Sequence, residues 1–95
     1  MNVSEELRSH VHDRSIPDKT RILRTRQLTS ELTGRIVNNA TRVRVCQSLN
    51  DAYLNLQLAT IADDIRLIER CHRDCIDMID RIEKDFLPED AHPHH

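Results

Sequence analysis

Cys71-His72-Arg73-Asp74-Cys75 is the densest run of reactive side chains in the sequence. On a helix Cys71 and Cys75 stand one turn apart with His72 beside them, a spacing that suits zinc, whose usual ligands are thiolates and imidazoles. A structural zinc site needs four such ligands, and the others on offer are Cys46 and the late histidines His92, His94 and His95. Both cysteines also fall on an apolar stripe, where a thiol packs as a small hydrophobe. They read as buried cysteines, His92 to His95 read as a disordered tail interrupted by Pro93, and neither a metal ligand nor a cofactor is assigned.

Other groupings carry even less chemistry. His72-Arg73-Asp74 resembles the catalytic-loop triplet of protein kinases, but no Gly-rich loop or strand lysine accompanies it. Arg73 with Ile76-Asp77 and Ile79-Asp80 resembles the opening helix of small helical chorismate mutases, which need further helices with more basic ligands downstream. No Ser/His/Asp set, phosphate-cradling loop or buried carboxylate pair can be assigned, so no catalytic residue is named and an enzyme is not expected. Lys19, Arg21, Arg24, Arg26, Arg35, Arg42 and Arg44 make residues 19–44 basic enough to consider nucleic acid. They are spread over many turns, however, and a solvated or partner-matching face is the preferred reading.

The elements that would position these residues are helical. Gly34 is the only glycine, and no proline lies between Pro17 and Pro88. Ser15 or Asp18 can cap a helix opening near Pro17, and Leu87 precedes a proline that disfavours its helical conformation. Residues 17–87 therefore read as a long helical coiled-coil region, following an arm at 1–16 that is flexible or a short helix capped by Ser4, and preceding a disordered tail at 88–95. One continuous helix would run on the order of 105 Å, so the chain either folds back or lies along other chains. Bends are expected near 34–39, at Gly34 and Asn38-Asn39, or near 50–58.

Periodicity defines an interface. Leu58, Ile61, Ile65, Ile68, His72, Cys75, Ile79, Ile82 and Phe86 alternate steps of three and four, an a/d heptad seam. Leu32, Ile36, Asn39, Val43, Cys46, Asn50 and Tyr53 form a second series one residue out of register with the first. Leu32, Val43, Leu54 and Ile65 also recur at eleven residues. Apolar residues make up 38% of the sequence and aromatics 2%, so the large rings that usually fill a self-contained core are missing. The fold class expected is all-α, one or two long helices forming a coiled coil or helical bundle with partner chains. The partner interface is Leu32, Ile36, Val43, Cys46, Tyr53, Leu58, Ile61, Ile65, Ile68, His72, Cys75, Ile79, Ile82 and Phe86, with His72 as a polar position that sets register.

Charge is divided unevenly: residues 1–45 hold nine Lys/Arg against five Asp/Glu, and residues 46–95 five against eleven. Three cysteines are an odd number, Glu5, Glu6 and Arg8 interrupt the N-terminal stretch where a signal peptide would be apolar, and no run reaches the roughly 18 apolar residues of a membrane span. A cytoplasmic chain is expected. Gly34-Arg35-Ile36, Leu49, Ala52, Leu54, His72-Arg73-Asp74-Cys75 and Arg81-Ile82 together resemble the KxDL-motif family, although His72 stands for the motif's Lys and Cys75 for its Leu. That resemblance implies a subunit of a BORC-like coiled-coil complex on the cytosolic face of lysosomes, acting in organelle positioning. Other helical subunits are then the expected partners, with a homo-oligomeric module of a viral or cytoskeletal assembly as the alternative and nucleic-acid binding as the second.

Overall fold

Buried threonines share the inward face of the second helix with leucines. The computed structural model describes residues 2–87 and holds four α-helices: α1 (Val3–His12), α2 (Lys19–Thr33), α3 (Asn39–Ala62) and α4 (Ile65–Arg81), the last running into a π-helical turn, Ile82–Phe86. On α2 the inward face is Thr25, Leu28, Thr29, Leu32 and Thr33, at the spacing of one helical stripe. Each threonine hydroxyl donates to a carbonyl one turn back, Thr25 to Ile22 at 2.8 Å, Thr29 to Thr25 at 2.9 Å and Thr33 to Thr29 at 2.8 Å. The hydroxyls are thereby satisfied inside the helix, and their methyl groups face the core at little polar cost. No buried side-chain nitrogen or oxygen lacks a partner among the described residues.

The other helices open on residues suited to it. The side chains of Asn2, Asp18, Asn38 and Asp64 accept the backbone N–H groups of Glu5, Arg21, Thr41 and Leu67, which capping requires. Asn2 is thus the cap of α1, and Ser4, expected in that role, lies buried inside the helix. Between α2 and α3 the turn is made at Gly34, whose N–H bonds the Ser30 carbonyl at 2.9 Å. A Cβ on Gly34 would sit 2.9 Å from that same oxygen, so close approach selects glycine here.

The four helices form a ring in which each touches its chain neighbour and α1 closes against α4. Leu7, Val11, Leu28, Leu32, Leu49, Cys75, Ile79 and Ile82 are almost wholly enclosed, and Tyr53, Val45, Leu56 and Ile68 complete a single core. The class is all-α, as expected, but the core is assembled within one chain.

This arrangement selects the short helix for the arm and 34–39 for the bend, and it corrects the continuous seam. The arm is a docked helix: the Tyr53 hydroxyl donates to the Leu7 carbonyl, Arg8 bonds Asp80 and Glu83, and Arg24 grips Glu6 through two N–H groups at 2.7 and 2.8 Å. Nothing bends near 50–58, because α3 is continuous from Asn39 to Ala62. The seam over 58–86 is interrupted where α3 ends: Asp63 takes a left-handed conformation (φ 55°), the N–H groups of Asp63 and Asp64 bond back to Thr60 and Ala59, and Asp64 caps the next helix. The steps of three and four continue through this reversal, but the residues on either side of it belong to different helices facing different ways. The tail expected to be disordered lies outside the described residues.

Candidate interaction surface

The reversal at Asp63 splits the sequence-derived interface into three groups. Leu32, Ile36, Tyr53, Ile68, Cys75, Ile79 and Ile82 are buried in the chain's own core and are not available to a partner. Cys46, His72 and Phe86 are half-buried. Val43, Leu58, Ile61 and Ile65 are exposed, between 55% and 65% of their surface remaining open, and Leu54 joins them at 52%.

Val43, Leu54, Leu58 and Ile61 share the outer face of α3, opposite the inward row of Val45, Leu49, Tyr53, Leu56 and Ala59. α3 is therefore apolar on two opposite faces, a pattern normal for a helix covered on both sides. Charge is scarce as well. Arg42, Arg44 and Asp51 are the only Lys, Arg, Asp or Glu residues in α3, and the stretch 52–62 has none, in a sequence that is 32% charged. Depletion of charge with retained Leu and Ile is what the centre of a protein interface looks like.

Two grooves flank this ridge. One, of about 190 Å³, lies between α2 and α3 against Ile22, Arg26, Asn50, Leu54 and Gln57. The other, wider at about 460 Å³, lies between α3 and α4 against Ser48, Asn55, Asp77, Met78 and Arg81. Ile65, on α4 beyond the reversal, is exposed as well.

The reactive run of α4 faces elsewhere. Cys75 is fully enclosed, and burial pushes its thiol up to about 12; Cys71 is raised by the same cause. Both stay protonated at neutral pH, the form in which a cysteine packs as a small hydrophobe. Among the described residues no three His, Cys, Asp or Glu side chains converge as a metal site. Arg73, Asp74 and Asp77 are exposed or half-buried, and Asp80 serves as a partner of Arg8.

His72 meets His12, not Asp74. Its Nε2 lies 3.0 Å from His12 Nδ1, joining α4 to the end of α1, with Arg14, Glu69, Arg73 and Asp77 around the pair. One imidazole must donate and the other accept, so the contact needs at least one neutral ring. Desolvation, followed by the charges of Arg14 and His12, lowers the His72 pKa from the ordinary 6.5, while Glu69 acts the other way. The unfolded chain then takes up the proton before the folded one does. The stability this contact contributes is complete above about pH 6.5 and declines as pH falls below it. Thermal melts should show Tm dropping between about pH 7 and about pH 5.5, with a shallower drop in His72→Gln; equal slopes in the two proteins would contradict this assignment.

Three of the seven cations of the basic region, Arg21, Arg24 and Arg42, are engaged within the chain. Arg21 pairs with Asp13 at 2.7 Å and bonds Ser15, Arg24 holds Glu6, and Arg42 bonds the Ile36 carbonyl at 3.1 Å and the Asn39 side chain. Hydrogen bonds from Ser15, reinforced by Arg21, bring the Asp13 carboxyl down to about 2. Cations engaged this way are poor phosphate ligands.

No helix among the described residues is long and apolar enough to cross a membrane. No protein-family model matches the chain, and neither a characterised protein nor a solved structure is detectably similar to it.

Sequence periodicity finds Val43, Leu58, Ile61 and Ile65 as interface residues but passes over Leu54. The signal for Leu54 is the eleven-residue recurrence, three of whose four members, Val43, Leu54 and Ile65, are the exposed ones.

Proposed function

We propose that this chain is a non-enzymatic helical interaction subunit that docks through the outer face of α3, with Leu54, Leu58 and Ile61 at the centre of contact. One observation carries the reading: a helix whose inner face already fills a core has a second apolar face, uncharged over residues 52–62, left open to solvent. Leaving that much Leu and Ile in water is costly, and cover by another helix removes the cost. The flanking grooves suit a helix laid along the ridge. The resemblance to KxDL proteins supplies a setting for such a subunit, a multi-protein assembly on the cytosolic face of lysosomes that positions the organelle.

Leu54→Asp with Leu58→Asp tests the docking reading. Both side chains are more than half open, so the double variant should keep its helical circular dichroism and its thermal transition. Light scattering after gel filtration should show it failing to enter the complexes the unaltered chain forms. A variant that assembles normally contradicts the docking surface. Co-localisation of the tagged chain with a lysosomal marker tests the setting, and a signal unrelated to lysosomes contradicts it.

A further inference from the structure

We infer that the occupant of the α3 ridge is a second copy of this chain, paired antiparallel about a two-fold axis near Leu54. This rests on the docking reading above and adds the identity and direction of the partner. The charges that bound the ridge carry it. At the N-terminal end stands Arg44, exposed and without an ion pair among the described residues; at the other end stand Asp63 and Asp64, both exposed and likewise without one. Between them Asp51 is the one charged side chain, and the stretch 52–62 has none.

Antiparallel pairing centred on Leu54 places Leu54 against its own counterpart, Leu58 against Asn50, and Arg44 against Asp63 and Asp64 of the second copy, once at each end. The arrangement is self-complementary, as a two-fold contact must be, because a two-fold axis crossing a helix pairs it with an antiparallel copy. Parallel pairing would set Arg44 beside Arg44 and the aspartates beside aspartates, which like charges oppose. The contact around Leu54 then supplies apolar burial, with Asp51 set against the uncharged Gln57 of the second copy, and the ends supply direction.

Sedimentation of the purified full chain over a concentration series should reveal a reversible dimer. Leu54→Cys, in a Cys46→Ser background, should cross-link to itself on mild oxidation, whereas Val43→Cys alone should not. Arg44→Glu should weaken dimerisation by about tenfold in the unaltered chain, and by much less when Asp63→Asn and Asp64→Asn have already removed the opposing charges. Asn keeps the left-handed position and the helix cap available, so folding is preserved in that background. Cross-linking at position 54 together with this coupling supports antiparallel self-pairing. A dimer that needs Leu58 but gives no cross-link at 54, or shows equal Arg44→Glu effects in both backgrounds, overturns the antiparallel register. A chain that stays monomeric, while Leu58→Asp still removes it from complexes in its own cells, overturns the second copy and leaves the docking surface standing. A dimer indifferent to Leu58→Asp overturns both.

Discussion

Ile68→Asp should unfold the bundle, and Ile65→Asp should leave it folded. The two residues are one helical step apart and look equivalent in a heptad count, but Ile68 is 7% exposed in the core and Ile65 is 65% exposed beyond the α3–α4 reversal. A carboxylate at Ile68 would be placed in the apolar core and would also forfeit the burial of an isoleucine. The combined loss is roughly 4–5 kcal/mol, most of what a chain of this length has. Urea titration followed by circular dichroism checks this: the midpoint should collapse for Ile68→Asp and stay near the unaltered value for Ile65→Asp. Equal losses would mean that both residues share one dry seam, and the reversal at Asp63 would then be wrong.

Leu7→Ala should release α1 from the bundle. Leu7 is fully enclosed, and removing such a leucine costs about 2–5 kcal/mol, depending on how far the neighbours collapse into the gap. α1 has only ten residues and cannot hold its helix unsupported, so a loss of this size detaches it. The consequence is local and readable, because the Tyr53 ring beneath α1 bonds the Leu7 carbonyl and is the sole tyrosine in a sequence without tryptophan. Acrylamide should quench Tyr53 emission strongly in Leu7→Ala and weakly in the unaltered chain. Equal quenching with an unchanged Tm would show that α1 is not part of the core.

The start of α2 was legible because Pro17 and Asp18 are residues whose chemistry acts locally, one fixing φ and the other capping. The α2–α3 turn was legible for the same reason at Gly34 and Asn38. The α3–α4 reversal was not. It uses a non-glycine residue in a left-handed conformation, which sequence seldom announces, and it falls where Ile61, Ile65 and Ile68 keep a helical rhythm across the break. Much of the seam drawn through it was therefore core, and its first members were surface.

The inward face of α2 was hidden differently. Thr25, Thr29 and Thr33 count as polar in any hydropathy pattern, and only their back-bonded hydroxyls make them core residues. In α3 the heptad series mixed two faces, taking Val43 from the outer and Tyr53 from the inner, because two opposite apolar faces leave no single stripe in a helical count. That pattern fits the proposed docking surface, since α3 is apolar on two faces and nearly free of charge. The direction inferred for the partner rests on the reversal, which sets Asp63 and Asp64 at the end of the exposed ridge.

Side-chain footprinting of the assembled chain addresses the docking surface whatever the partner is. Carbene or hydroxyl-radical labelling, compared between the dilute isolated chain and its assembled form, should show Leu54, Leu58 and Ile61 losing label on assembly while Leu49 and Ile79 remain unlabelled in both. If those three residues label equally in both states and another face is protected instead, the outer face of α3 is not where this chain meets its partner.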